Sequence, residues 1–425
     1  MKPTITNLHG AHGRGRTVAS DRFLLLGALV WHVAFLCHPF ATAFAGVIQV
    51  TTSLPDPAKQ QRVQAALEKL KESPQDISAV ETLLAVEPRI VETIGTNVSF
   101  SETDPVLNRA LIWSQSLQPA EVLAACLEQG GNAAVHWALR QIVWRMGNGG
   151  FDKKNLARLI PSVEKALTKQ RPTTQAQAVR TMLSCLPSEK RMVFLEGLLK
   201  GRPNEVMAAA VEAFANVRQA NPDVESLTAK WLISSDDPLL LEACCSYWWM
   251  VKSQSAPVLK EAEIIAFERL AGHQHAGVRR YVALAVEAVA TPERPRLVGT
   301  LLRLTHDKDP SVVYTATRSL RNADTPEVNL RLRELFAIDQ PQDNRAAAIE
   351  VLGVFGKANL PLLLSAAKTD KVSLVRLHSI WALRRIGTSE AGKGLEAALQ
   401  DPDEQIRSEA QAQLEWFRKE HTTSQ

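Results

Sequence analysis

DKVSLVR, at residues 370–376, has two relatives in this chain, DQPQDNR at 339–345 and DPDEQIR at 401–407. Each heptapeptide begins with Asp and ends with Arg, and the three arginines follow one another at intervals of 31 residues. A constant spacing of this length is typical of a solenoid, in which each repeat is one supersecondary unit. This stretch therefore decides the fold.

Small or apolar residues fall three, four and seven positions after these arginines, which is the spacing of one face of a helix. They are Ala348, Ile349, Leu352, Ser379, Ile380, Leu383, Ala410 and Leu414. A second apolar helical run precedes each Asp, from Leu330 to Ile338, Leu360 to Ala367 and Gly394 to Gln400. The unit is therefore predicted to be two helices joined by a turn that carries the Asp. Neither helix can bury its apolar face alone, so stacked neighbours must cover it.

The same helix position recurs toward the N-terminus at steps of 32 to 40 residues. It falls on Val313, Arg279, Leu241, Met207, Gln175 and Val135. Several second helices are predicted to open with Asp-Pro, at 237–238, 309–310 and 401–402, with 104–105 as an earlier copy. Proline suits the first turn of a helix, where its missing N–H has no partner, and the preceding Asp caps the N–H groups that remain.

These units resemble a known family. The stretch from Val375-Arg376 to Ile386-Gly387 is similar to HEAT repeats of the short, phycobilin-lyase-like type. The resemblance is specific from Arg191 to Phe417 and is reduced to helical periodicity between Pro57 and Pro187. It implies an all-α fold, namely an α-solenoid in which about nine HEAT-like hairpins form a right-handed superhelix.

In that family the turn Asp and the second-helix Arg form a ladder between adjacent repeats. The resemblance assigns this structural role to Asp339, Arg345, Asp370, Arg376, Asp401 and Arg407. The ladder is expected to be incomplete in the middle of the array. There His273 stands six residues before Arg279 in place of an Asp, and Val313 stands six residues after Asp307 in place of an Arg.

Residues 1–45 are predicted to be a signal peptide. Four basic residues precede an apolar run of about 14 residues, shorter than a spanning helix, and Ala43-Phe44-Ala45 offers a cleavage site. An uncleaved leader that anchors the chain in the inner membrane is the alternative. The remaining predicted segments are a linker at 46–57, divergent helical repeats at 58–190, HEAT-like repeats at 191–418 and a polar tail at 419–425.

Removal of the leader leaves a nearly neutral protein. The leader holds four of the 49 basic and one of the 45 acidic residues, so 45 basic and 44 acidic residues remain. This balance argues against a nucleic-acid partner, which requires clustered positive charge. Four cysteines also remain, and they are predicted to be small buried thiols, with a vicinal disulfide between the last two as the alternative: Cys126, Cys185, Cys244 and Cys245.

The sequence lacks a recognisable catalytic or metal-binding motif. His-Glu-x-x-His and Gly-x-Ser-x-Gly do not occur, and the glycine-rich segment 147–150 is not followed by Gly-Lys-Ser/Thr. His273-Gln-His275 brings two histidines close together, but without cysteines nearby it is a weak metal signal. We therefore predict no catalytic residues, no metal ligands and no cofactor.

The surface of the second helices is the remaining candidate for function. Tyr, Trp and Arg, the residue types enriched at interface hot spots, recur there one, two, five and eight positions after the ladder position, or one beyond. They are Trp249, Arg280, Tyr281, Tyr314, Arg318, Arg321, His378, Trp381, Arg384 and Arg385. Packing between repeats and solubility are the alternative explanation for these side chains.

We therefore predict an exported, periplasmic or secreted, non-catalytic scaffold that binds a protein or peptide partner. The alternatives are an enzyme or enzyme accessory of the HEAT-like lyase or hydroxylase type, a nucleic-acid-binding repeat protein, and a purely structural envelope protein.

Overall fold

The computed structural model describes residues 48–50, 57–86, 94, 98–100, 109–110, 112–114, 116–148, 150–199, 201–218, 220–251 and 259–422. These residues include two short strands, β1 (Ile48–Val50) and β2 (Val98–Phe100). The helices are α1 (Pro57–Glu72), α2 (Ile77–Val86), α3 (Ala120–Gln129), α4 (Asn132–Gly147), α5 (Lys153–Lys169), α6 (Pro172–Cys185), α7 (Ser188–Glu196), α8 (Asn204–Val217), α9 (Pro222–Ser234), α10 (Pro238–Met250), α11 (Glu261–Leu270), α12 (Ala276–Val286), α13 (Pro295–Leu304), α14 (Pro310–Ser319), α15 (Pro326–Phe336), α16 (Gln342–Val354), α17 (Leu360–Thr369), α18 (Ser373–Ile386), α19 (Ser389–Ala398) and α20 (Glu404–Thr422).

Consecutive helices form hairpins, from α1 with α2 to α19 with α20. The second helix of each hairpin also packs against the second helix of the next, in an unbroken series from α2 to α20. Several first helices pack in the same way, for example α9 with α11 and α17 with α19. The fold is an all-α solenoid. The part of the chain that the structure describes contains ten hairpins, one more than the nine or so that the spacing predicts.

Aspartates and prolines begin two of the second helices as the sequence predicts. Pro238 and Pro310 occupy first-turn positions, and the Asp before each accepts a backbone hydrogen bond: Asp237 from Leu240, Asp309 from Ser311, both at 2.9 Å. The third Asp-Pro pair behaves differently. Helix α20 begins two residues after Pro402, at Glu404, because Asp403 accepts the first-turn hydrogen bond, from the backbone N–H of Gln405 at 2.9 Å, while Asp401 pairs with Arg376.

The predicted apolar stripe is the core of the stack. Leu352 of α16 and Leu383 of α18 are fully buried, as are the adjacent free thiols of Cys244 and Cys245 in α10. One cluster of buried side chains extends from α1 to α16, and a smaller one covers the C-terminal hairpins from Ile349 onward. Each repeat therefore depends on its neighbours to exclude water from its apolar side.

The structure corrects two of the predicted segments, the linker at 46–57 and the polar tail at 419–425. Strand β1 lies in the expected linker at 46–57, at the only stretch of the sequence that is a strand candidate, 48–52, and it pairs in parallel with β2, which was not predicted. Helix α20 continues to Thr422, so the expected polar tail is helical over residues 419–422. The predicted leader at 1–45 and the early Asp104-Pro105 lie outside the described residues. None of the helices within the described ranges has both the length and the apolar character that a membrane span requires.

Candidate functional site

Three bidentate ion pairs, which we call rungs, connect consecutive hairpins through their turns. In each rung an Arg on a second helix pairs with an Asp in the turn of the following hairpin. The rungs are Arg279 with Asp307, Arg345 with Asp370, and Arg376 with Asp401. In the first, Nε and Nη2 of Arg279 each lie within 2.7 Å of a different carboxylate oxygen of Asp307. Parallel hydrogen bonds of this kind fix the relative orientation of the two groups.

Each rung Asp also holds its own turn. Asp307 accepts a hydrogen bond from the backbone N–H of Asp309 at 2.9 Å, and Asp401 accepts one from Asp403 at 2.9 Å. Burial alone would raise the pKa of Asp307 and Asp401, but the hydrogen bonds and charge of the paired arginines, together with the backbone hydrogen bond in each turn, outweigh it, so both pKa values lie below their ordinary range. These carboxylates are therefore charged in the folded protein at neutral pH.

Two of the six residues expected in the ladder form no rung. Arg407, on the last second helix, donates to the backbone carbonyls of Asp401 and Pro402 in its own turn. Asp339 is exposed and has no arginine to pair with, because Val313 stands at the Arg position of the preceding hairpin. Because the rungs run from each Arg to the next hairpin, the substitutions at His273 and Val313 leave the rung of Arg279 intact. The expected gap there was misplaced, and the missing rung lies at Val313 and Asp339.

A second set of contacts joins three second helices across α16, and we call it the charged cluster. Arg318 of α14 lies 3.0 Å from one oxygen of Glu350, and Nδ1 of His378 of α18 lies 3.4 Å from the other. The hydroxyl of Tyr314 lies 3.5 Å from Arg318. The structure thus brings three of the predicted surface residues together around a glutamate that the sequence reasoning omitted.

The charged cluster perturbs the ionisation of two glutamates in opposite directions. Burial would raise the pKa of Glu350, but the imidazole of His378, whose Nδ1 lies 3.4 Å away, and the hydrogen-bonded guanidinium of Arg318 together hold it well below its usual range. Burial is the larger effect at Glu287, whose pKa is raised although Arg321 lies 2.8 Å away. Arg321, which was predicted to lie on the partner-binding surface, therefore forms an intramolecular ion pair with Glu287 beside the cluster.

A further group of side chains lies between α18 and α20, and we call it the tryptophan patch. Its members are Trp381, Arg384, Glu409, Gln413, Trp416 and Lys419. Trp381 is 39% exposed and Trp416 is 50% exposed, and they are the only exposed tryptophans among the described residues. The indole N–H of Trp381 donates to Glu409 at 2.7 Å. The guanidinium carbon of Arg384 lies 5.5 Å from the ring centre of Trp416, a cation–π distance.

The remaining predicted surface residues lie farther toward the N-terminus. Trp249 is partly buried and packs against the core, which supports the packing explanation for this residue. The guanidinium of Arg280 lies 5.1 Å from the ring centre of Tyr281, its chain neighbour. These three residues lie on α10 and α12, whereas the tryptophan patch lies on α18 and α20. Arg385 is exposed on α18, one turn after Trp381.

Comparison with known sequences agrees with the stacked hairpins and their rungs. The family model described as HEAT repeats matches residues 265–353 and 330–415, a stretch that contains all three rungs. Residues 265–415 are HEAT repeats. No curated protein sequence matches the chain significantly.

Solved structures similar to the chain include two engineered proteins from the Northeast Structural Genomics Consortium and human deoxyhypusine hydroxylase in complex with glycerol. The first engineered protein is 16% identical, with 86% of this chain and 97% of that chain covered and a TM-score of 0.39. The second is 18% identical, with 53% and 96% covered and a TM-score of 0.29. The hydroxylase is 18% identical, with 73% and 99% covered and a TM-score of 0.28. Similarities this low carry no conclusion about activity.

The histidine pair and the cysteines, which are the candidates for metal or thiol chemistry, have contacts within the protein. In the histidine pair, Nδ1 of His275 lies 2.9 Å from a carboxylate oxygen of Glu242, and the backbone N–H of His275 donates to Nδ1 of His273. Within the described ranges no three His, Cys, Asp or Glu side chains are placed to hold a metal ion together. All four cysteines there are buried thiols, and burial raises the pKa of Cys126 to about 12 and that of Cys185 to about 11.

Five residues of the charged cluster and the tryptophan patch were not predicted from the sequence, although the repeat contained the signal for two of them. They are Glu350, Glu409, Gln413, Trp416 and Lys419. Glu350 stands five positions after Arg345, as Trp381 stands five after Arg376. Trp416 stands nine positions after Arg407, the place that Arg385 holds one HEAT repeat earlier. The pattern of Tyr, Trp and Arg on the second helices does not include glutamate, and no residue after Arg385 was predicted to belong to it.

Proposed function

We propose that this protein is a non-catalytic HEAT-repeat scaffold that binds a protein or peptide partner on the surface of its second helices. The observation that carries the proposal is the tryptophan patch. Two tryptophans are exposed on adjacent second helices, α18 and α20, whereas every other described tryptophan is at least partly buried. An indole ring left in water forgoes the free energy that its burial would contribute, and a bound partner would recover it.

The patch is also held in place before a partner arrives. Glu409 accepts hydrogen bonds from Trp381 and from Gln413, and the ring of His378 meets that of Trp381 edge-on with centres 4.8 Å apart. Side chains that are already ordered lose little conformational entropy on binding. The rung of Arg376 and Asp401 also ties α18 to the turn before α20, so an ion pair holds together the two helices that carry the patch.

We place this function in the periplasm or outside the cell, on the basis of the leader at residues 1–45. The near balance of acidic and basic residues after the leader is removed supports a protein partner over nucleic acid. The proposal includes no cofactor. Stoichiometric iron or zinc in the purified protein would contradict it and would favour the hydroxylase alternative.

The test is cross-linking of the protein in its native envelope fraction, followed by purification and identification of the attached chains. Variants Trp381→Ala and Trp416→Ala are compared with Leu330→Ala, which removes a 62% exposed apolar side chain from first helix α15. We expect one partner to be recovered with the parent protein and Leu330→Ala, and to be lost with both tryptophan variants at unchanged helicity. Retention of every cross-linked chain by both tryptophan variants would exclude the patch as the binding surface.

A further inference from the structure

The turn between α15 and α16 differs from the turns that carry the rung aspartates. The residue directly before each rung Asp is exposed and polar in all three cases: His306, Thr369 and Gln400. Before Asp339 the same position holds Ile338, which is 74% exposed. An isoleucine stabilises a fold when its side chain leaves water, and this one does not. The repeat fold therefore does not account for the choice of Ile338.

A pocket of about 320 Å³ opens beside Ile338, between this turn and the turn of the next hairpin. Its lining includes the rung of Arg345 and Asp370, and Arg345 also donates to the backbone carbonyl of the α15 residue Phe336 at 3.1 Å. The pocket is therefore formed by side chains that are already fixed within the protein, and it has room for an apolar side chain from outside. Its apolar lining residues, besides Ile338 and Ala337, are Phe336, Leu362 and Ala366.

Two charges of opposite sign stand at the two turns that border the pocket. Asp339 directly follows Ile338, and it belongs to no rung because Val313 stands at the arginine position of the preceding hairpin. Lys371 lines the pocket from the other turn and is exposed. Neither side chain forms an ion pair within the part of the chain that the structure describes. The surface thus offers an acid beside a projecting isoleucine and a cation beside an apolar recess.

We infer that this face is an interface between two copies of the chain, in which Ile338 of each copy enters the pocket of the other. In a two-fold contact the same patch meets itself, so each of its features must find a complement within the patch. Here Ile338 complements the apolar pocket, and Asp339 complements Lys371 of the second copy. The apolar contact supplies most of the binding free energy, and the ion pair sets the register. This face is separate from the tryptophan patch, so the inference does not rest on the proposed function.

Sedimentation velocity of the full chain tests the inference. A contact centred on one side chain is small, so we expect mostly dimer at about 100 µM and mostly monomer at about 1 µM. Ile338→Asp should be monomeric at every concentration. Val193→Asp, which changes a 72% exposed apolar residue of first helix α7, should sediment as the parent does. A parent that is monomeric at the highest concentration would overturn the inference, as would a dimer that survives Ile338→Asp.

An exchange of charges tests the register of the two copies. Asp339→Lys and Lys371→Glu each place like charges opposite one another, so each single variant should associate roughly tenfold more weakly than the parent. The double variant brings opposite charges together again and should recover the association of the parent. Circular dichroism checks that all three variants keep the helicity of the parent. A double variant that associates no better than the single variants would overturn the two-fold arrangement.

A photo-crosslinker at position 338 separates a second copy from a different protein. p-Benzoylphenylalanine replaces Ile338 in the full chain, and cells that produce this variant are irradiated. We expect an adduct with twice the mass of the chain, in which the cross-link lies within residues 362–371 of the second copy. Adducts with other proteins and none between two copies would overturn the inference in favour of a different partner at this pocket, and would leave the proposed function of the tryptophan patch unaffected.

Discussion

Arg376 donates hydrogen bonds to both carboxylate oxygens of Asp401 in the next HEAT repeat, at 2.7 and 2.9 Å. A third N–H of the same guanidinium donates to the backbone carbonyl of Asp370, in the turn of its own repeat, at 2.9 Å. One side chain therefore joins two successive turns, and Asp401 in return accepts from the backbone of its own turn. Both side chains are about nine-tenths buried or more, so neither has water as an alternative partner.

Loss of this rung is expected to destabilise the C-terminal repeats strongly. Arg376→Ala leaves the carboxylate of Asp401 buried without its cation, and the removal of one partner of a buried pair costs on the order of 3 kcal/mol. Because stability in a repeat array is local, we expect the loss to appear as faster amide hydrogen exchange in α18 and α20 with little change in the N-terminal hairpins.

Arg407→Ala is the matched control for this variant. Arg407 occupies the same position one repeat later but donates to backbone carbonyls and pairs with no Asp. Its replacement should cost less than about 1 kcal/mol, the usual net contribution of hydrogen bonds of this kind. Equal effects of the two substitutions on exchange would show that the rung contributes nothing beyond its contacts within one turn.

The repeat and its stripe could be predicted from sequence because both are local properties. Arg345, Arg376 and their apolar followers recur at fixed spacing, and a helix face is determined by residues a few positions apart. The direction of the rungs could not be obtained in this way. Whether Arg279 pairs within its own turn or with Asp307 depends on the offset between stacked hairpins, which is a tertiary quantity.

The candidate site was predictable in part for the same reason. The positions of Trp381 and Arg318 follow from the period, and Glu350 and Trp416 stand at equivalent positions in other repeats. Their grouping does not follow from the period, because Glu350 is reached by side chains from helices on both sides of it. The strand pair of β1 and β2 joins segments about 50 residues apart, and no local pattern indicated its second member.

Glu350 should make the stability of the protein fall in acid. Its pKa is held below the ordinary value of 4.5, so ionised Glu350 stabilises the folded state fully above that value. The contribution declines as the pH falls below 4.5 and is lost once the pH passes through the folded-state pKa. We expect Glu350→Gln to lower the urea midpoint at pH 7. The difference between the urea midpoints of the variant and the parent should become smaller as the pH is lowered below 4.5.

Glu327→Gln, at an exposed position in the first turn of α15, controls for the loss of a carboxylate in general. Between pH 7 and a pH below 4.5, the urea midpoint of this variant should change by about as much as that of the parent. A Glu350→Gln variant that is destabilised by the same amount at pH 7 and in acid would contradict the assignment of the low pKa.

Gly353 sets the distance between the second helices α16 and α18. A Cβ atom at this position would clash with the side chain of Ala382 and lie 3.1 Å from its Cα. Gly353→Ala must push the helices apart, and overpacking of this kind costs about 2 kcal/mol. The exchange Gly353→Ala/Ala382→Gly moves the methyl group from one helix to the other and should recover most of the loss, as measured by urea denaturation.

Gly299→Ala supplies the comparison, since an added Cβ there meets no neighbouring atom within 4 Å. Gly299 lies within α13, where alanine is favoured over glycine by about 1 kcal/mol, so this variant should be more stable than the parent. If Gly353→Ala were stabilising as well, the contact between α16 and α18 would be looser than the structure indicates.

The four buried cysteines should be unreactive in the folded protein and free to react once it unfolds. The thiolate is the nucleophile, and burial raises the pKa of every one of these thiols, most of all those of Cys244 and Cys245, whose side chains are fully buried. In a Cys37→Ser background, we expect no maleimide labelling at pH 7.5 without denaturant and four labels per chain in urea, with or without prior reduction. A vicinal disulfide between Cys244 and Cys245 would give two labels in unreduced, unfolded protein and four after reduction. The count of labels by mass spectrometry therefore decides between small core thiols and a redox pair in α10.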